Sequence, residues 1–174
     1  MDWKREIVIA HMVKQKLSES DVDGLWAHHF PEVAATEDSI IDAEKHIGAR
    51  FSDSHREFLK HADGWRSFYQ AVDILNTSEF EGGARFKRAI LLLNSLEDLK
   101  DLCGFDKSEL LPIAVSTNDI DVFAISNDSS SEPGVVFWFA GQLIDRFANF
   151  SEWFLSMVDY NRMEYDRLTN ELNK

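Results

Sequence analysis

Most of what would mark a specialised protein is scarce or missing in this chain. One cysteine, Cys103, stands among 174 residues, which excludes an internal disulfide and fits a reducing compartment, with the cytoplasm as the default. No run of about 18 apolar residues occurs, so no membrane-spanning helix is expected. The opening MDWKREIVIAHMVKQKL mixes charge with apolar residues and lacks the continuous apolar core and small-residue cleavage site of a secretory leader. There is no internal repeat and no low-complexity tract. Basic residues are also few, 18 Lys and Arg against 31 Asp and Glu for a net charge of −13. That field repels phosphate, so nucleic acid and anionic membrane are not expected as partners. A basic partner fits the field, with acidity for solubility alone as the alternative.

Large apolar side chains are plentiful. Hydrophobic residues make up 44% of the chain, with 13 Phe and 5 Trp. Rings of this size carry much of a core's burial energy, at roughly 25 cal/mol per Å² of apolar surface. The chain is therefore read as one folded domain with an appendage. The charge is uneven: residues 89–150 hold 10 acidic and 3 basic residues, more than half of the net excess.

The hydrophobic pattern sets an α+β order, helices first, then strands, then a helix. Trp3, Ile7, Ala10, Val13 and Leu17 fall at helical spacing, and Ser20 or Asp21 offers a cap for a second short helix through Trp26 and Ala27. Thr36 is an N-cap, with Glu37 and Asp38 in the first turn, where the helix dipole favours anions. Ile40, Ala43, Glu44 and Ile47 share one helix face, and Gly48 suits the left-handed position after a helix. Another helix starts at Ser52, or at Ser54 with Glu57 as a capping box, and closes at the Asp63-Gly64 turn. Strands are expected over Arg85–Leu93, Leu111–Val115, Ile120–Ile125, Val135–Ala140 and Leu143–Arg146. A short helix from Asn94 or Ser95 runs to Leu102 and stops at Gly104. Asn149 to Glu152 caps a C-terminal helix that turns polar beyond Tyr160 and is expected to project or fray near Lys174. The expected architecture is a single α+β domain over residues 36–174, a mainly antiparallel or mixed central sheet flanked by helices, with an N-terminal helical extension over residues 1–35.

Residue types that could carry chemistry are present without the spacing that chemistry needs. Two metal ligands on one helix face require i, i+3 or i+4 spacing. His55 and His61 are six apart, His46 precedes His55 by nine, His28 and His29 are adjacent, and Cys103 has no partner thiol. Asp119, Asp121 and Asp128 lack the central Gly and twelfth-position Glu of a calcium loop. Gly82-Gly83 is followed by Ala-Arg-Phe-Lys rather than the Lys-Ser/Thr of a phosphate loop, and Ser54-His55 makes no triad by type alone. No catalytic residue, metal or cofactor is expected, and the chain reads as a binding protein rather than an enzyme.

The order of these signals resembles the SUKH superfamily, which includes bacterial toxin-immunity proteins and fungal cell-wall assembly regulators. Glu44, Ile47-Gly48, Phe51, Phe58-Leu59 and Asp63-Gly64 are similar to its opening pattern. Leu111-Pro112-Ile113-Ala114, Asp121, Gly134-Val135-Val136-Phe137 and Phe150-Ser151-Glu152-Trp153-Phe154-Leu155 follow it further on. Three departures stand out: Ser52 where the family usually has Pro, Asp63 for Asn, and Ser116–Ile120 without the family's glycines. Glu44 reads as a carboxylate tying a helix to a loop, with a partner contact as the alternative. The resemblance implies an immunity protein that neutralises a cognate toxin, a nuclease among the candidates, by direct complex formation. A regulatory or scaffolding module without a toxin is the alternative. Asp119, Asp121, Asp128, Glu132 and Asp145 are the acidic candidates for the partner surface. Trp138 and Trp153 are candidate anchors if exposed, with core packing as the other reading. Oligomeric state is left open.

Overall fold

Strand pairing follows chain order, although residues 75–109, with three α-helices, separate the second strand from the third. The computed structural model describes residues 1–172. Six strands form one antiparallel sheet in the order β1-β2-β3-β4-β5-β6, with β1 Trp65–Tyr69, β2 Val72–Ile74, β3 Leu110–Ser116, β4 Asp121–Ser126, β5 Val136–Ala140 and β6 Leu143–Phe147. The four later strands match the β-branched and aromatic runs of the sequence. Their long neighbours make β3 and β4 buried along almost their whole length, which requires cover on both faces of the sheet.

Seven α-helices supply that cover among the described residues: α1 Trp3–Ser20, α2 Glu37–Ile47, α3 Asp53–Leu59, α4 Thr77–Phe80, α5 Ala84–Ser95, α6 Leu99–Cys103 and α7 Phe150–Leu172. Successive side chains of a strand point to opposite faces. Phe123 of β4 therefore meets Trp153 of α7 and stacks on Trp138, whereas Phe137, next to Trp138, turns the other way and meets Phe105. α5 packs along β3 and β4, where the Arg88 guanidinium donates to the Ser116 carbonyl at 2.8 Å. α7 reaches β1 through Phe154 on Phe68, and the buried Asn161 amide donates to the Phe68 carbonyl at 2.9 Å.

α1 is part of the same core. Trp3 lies against Phe58, Phe150 and Phe154, and Ile7, Ala10 and Leu17 are buried on the face turned to α7. Lys14 is buried on this face too, and its ammonium donates to the Ser67 carbonyl at a bulge in β1. Ser67 has φ +47° there, and its own N–H donates to Asp73 at 2.8 Å. Asp73 in turn accepts from Arg85, which also pairs with Glu79. A buried bulge is thus held by a chain of charged hydrogen bonds from α1 to α5, each buried polar group finding a partner. The segment before α2 runs beside β1, with a bridge between Pro31 and Trp65 and hydrogen bonds from Ala35 to Leu59 and from Glu32 to Gly64.

Several elements differ from their sequence-based assignment. Arg85–Leu93 is helix, not strand: it lies within α5, where Ala89 and Leu93 are buried at i, i+4 and Leu91 is exposed. The short apolar run fits either period. What decides is a cap from outside the local pattern, since the Glu79 carboxylate accepts from the N–H groups of Arg85 and Phe86 at 2.9 and 3.2 Å. No second helix follows Ser20. Asp21 instead folds the chain into a turn by accepting from the N–H groups of Asp23 and Trp26, and Gly24 sits at φ +70°. The sequence pattern does not predict the short strands β1 and β2. α7 continues well beyond Tyr160, and the expected fraying near Lys174 lies outside the described residues.

Candidate functional site

The stretch from Thr36 to Gly64 is fastened mainly by its own side chains. The Thr36 hydroxyl caps α2 by accepting from the Ser39 N–H at 3.1 Å, and Gly48 ends the helix at φ +69°. Glu44 accepts from the Phe51 N–H at 3.0 Å and from Arg56 at 3.3 Å, tying α2 to the loop and to α3. Ser52 is the residue before α3, without a side-chain capping bond, and Ser54 lies inside the helix. Asp63 accepts from both the N–H and the hydroxyl of Thr77 at 2.7 Å, which fixes the start of α4. Burial pushes the Asp63 carboxyl up, against the pull of those two bonds. Gly64 is required twice over: its φ is +88°, and a Cβ there would lie 2.9 Å from the Ile74 carbonyl oxygen and from the Asn76 Cβ.

Beside this stretch lies a cleft of about 730 Å³, bounded by the end of α2 and by the β4–β5 loop. Glu44, Lys45, Gly48 and Arg50 form one wall, and Ser108, Asn127, Asp128 and Ser129 the other. Asn127 organises the second wall by donating to the Ser108 carbonyl and accepting from Ser129. The cleft carries both signs of charge, so it suits polar contact with a macromolecule better than capture of one kind of ion. Among the described residues no group of three or more His, Cys, Asp or Glu could hold a metal. No described helix is long and apolar enough to cross a membrane.

The acids singled out in the sequence do not converge. Asp119 and Asp121 sit at the β3–β4 turn, and Asp128 and Glu132 on the loop at the far end of β4, a strand about 20 Å long at 3.4 Å per residue. Asp145 lies on the outermost strand, β6, across from Trp138. Asp119, Asp128, Glu132 and Asp145 are exposed. Glu132 is partly neutralised by Arg146 at 2.5 Å. Asp121 is half-buried and accepts from the Trp138 indole at 2.7 Å, so it orients the ring. Trp138 keeps part of its surface exposed. Trp153 does not: it is fully buried among Phe68, Phe123 and Phe150, so it belongs to the core and offers a partner no surface.

Three features have no signal in the sequence. Lys45 and Arg50 are isolated charges until the α2–α3 turn folds them to the rim of the cleft. Trp26, Tyr69 and Tyr160 come from distant segments yet meet at one surface, with centroid distances of 6.0 Å from Tyr69 to each of the other two. His55 is fully buried against Phe150, and burial pushes its imidazole down to about 3. No spacing pattern signals any of these, because each is made by tertiary contact.

The described residues thus form an α+β domain built on one antiparallel sheet with acidic loops at its edges. A sequence model of the SMI1 / KNR4 family (SUKH-1) matches residues 34–156, more than half of the chain, and the chain belongs to that family. No curated protein matches it significantly.

Proposed function

We propose that this chain is an immunity-type protein that neutralises a cognate bacterial toxin in the cytoplasm by forming a direct complex, and that the toxin presents a basic surface. The observation that carries the reading is the set of exposed carboxylates Asp119, Asp128, Glu132 and Asp145 on turns, a loop and an outer strand of a rigid sheet, in a chain of net charge −13. Membership of a family with a protein-interaction role supports it. An acidic surface steers a basic partner into encounter and raises the association rate. The complex then blocks the toxin sterically, so the chain needs no catalytic group of its own and is read as a non-enzyme.

The test is co-expression with the toxin encoded beside its gene. Growth is restored and the two proteins co-purify if the reading holds. A toxin that stays fully active, with no complex formed, would sink it.

A further inference from the structure

We propose that Trp26, Tyr69 and Tyr160 form a pocket that takes a cationic side chain, arginine or lysine, of the basic partner. This rests on the reading of the chain as a binder of a basic protein and names one point of contact.

The pocket holds about 400 Å³ between the turn after α1, the end of β1 and the middle of α7, with Gln70, Met163, Glu164 and Arg167 completing its lining. Tyr69 meets Trp26 at 63° and Tyr160 at 47°. The rings are therefore walls set at angles rather than a closed stack. Trp138 backs them, edge-on to Tyr69 at 5.8 Å and to Tyr160 at 6.0 Å, and is itself fixed by its 2.7 Å bond to Asp121. Trp65, Phe123 and Trp153, by contrast, are sealed in the core. These four all remain partly exposed.

Charge decides what such a pocket would hold. Ring faces carry negative potential and attract cations. Burial pushes the Tyr69 phenol up, with Asp121 and Glu164 adding to it, whereas the bond from Arg167 holds the Glu164 carboxyl low. Glu164 is the one carboxylate of the lining and pairs with Arg167 at 2.5 Å, while Asp121 lies behind the rings on the Trp138 indole and Lys14 reaches the Ala27 carbonyl beside Trp26. A neutral occupant gains nothing from the ring faces or from Glu164. A guanidinium or ammonium is drawn to both, and its methylene stem lies along Met163 and the rings.

The test uses N-acetyl-arginine amide and N-acetyl-lysine amide as probes, with N-acetyl-norleucine amide as the neutral control. Binding is followed by the indole N–H signals of the isotope-labelled protein, with Trp26→Ala assigning the reporter. The Trp26 signal is expected to shift saturably with both cationic amides and not with the neutral one. Glu164→Gln is expected to weaken the cationic amides about five-fold or more while the other indole signals stay in place. Equal shifts with norleucine amide, or no saturable shift, overturn the proposal. So does a toxin complex whose affinity Trp26→Ala and Glu164→Gln both leave unchanged, an outcome that leaves the immunity reading standing. Saturable cation binding in a protein that fails to bind or neutralise the toxin keeps the pocket chemistry and removes the reading beneath it.

Discussion

His55 is fully buried in a ring of aromatics, stacked on Phe150 at 4.5 Å with Phe51 and Phe80 around it, and neither ring nitrogen has a hydrogen-bond partner among the described residues. Burial holds its pKa near 3, against 6.5 for an ordinary histidine. The unfolded chain therefore takes up a proton below pH 6.5 that the folded chain refuses until about pH 3. Stability from this residue is full above pH 6.5 and falls as the pH drops through that window, by up to about 1.4 kcal/mol per pH unit. His55→Leu, similar in size and apolar, is expected to leave stability at pH 7 unchanged or higher. It should also remove about 2 kcal/mol of the loss between pH 7 and pH 5. Urea unfolding of both proteins at the two pH values measures this, and equal losses would refute it. Gly64 gives a second prediction of the same scale. Gly64→Ala combines a left-handed φ with a Cβ contact of 2.9 Å on backbone oxygen, and should cost about 2–4 kcal/mol in the same assay. Gly48→Ala shares the positive φ but has nothing within 4 Å of the added carbon, so it should cost about half as much or less.

Elements were legible where their signals are local. Thr36 and Gly48 bracket α2 with chemistry that lies within the helix's own residues, and β3, β4 and β5 announce themselves as apolar runs between turns. α5 was not legible, because its start is capped by Glu79 from the preceding helix α4 and its apolar run fits two periods. β1 and β2 were hidden for a different reason. Their connection passes through Gln70 at φ +49° and the bulge through Ser67 at φ +47°, so residues that do not announce left-handed backbone do the work usually signalled by glycine. The candidate site was less legible than the fold, since which acids share a surface depends on strand order and not on spacing in sequence. α1 shows how an element outside the family match, residues 34–156, joins the core. Trp3→Ala removes the ring that contacts Phe58, Phe150 and Phe154, and is expected to cost about 3–5 kcal/mol. Dye binding to newly exposed aromatics, together with the urea midpoint, checks it. An unchanged midpoint would mean that α1 is an appendage rather than part of the core.

Over the whole molecule, the spread of the acids decides how charge can act. Asp119 and Asp128 sit at opposite ends of β4, Asp145 lies on the outer strand, and Glu132 already shares its charge with Arg146. Asp119 and Asp128, at opposite ends of a strand about 20 Å long, are separated by more than a Debye length, about 8 Å at physiological salt, so the acids do not act as one tight cluster. They can still contribute to a common field that a basic partner meets during approach. A steering field and a charged hot spot make different predictions for single substitutions. A hot spot would concentrate the loss in one residue and raise the dissociation rate. A field distributes it, so Asp119→Asn, Asp128→Asn, Glu132→Gln and Asp145→Asn should each slow association with the toxin by a factor of about two, within the 0.2–1 kcal/mol typical of exposed charges. Dissociation should barely change. Combined, the four should flatten the dependence of the association rate on salt, because each removes part of what ions screen. Stopped-flow association across ionic strength measures both quantities. One dominant substitution acting on dissociation would relocate the contact to that residue, and unchanged association rates would remove the acids from the partner surface altogether.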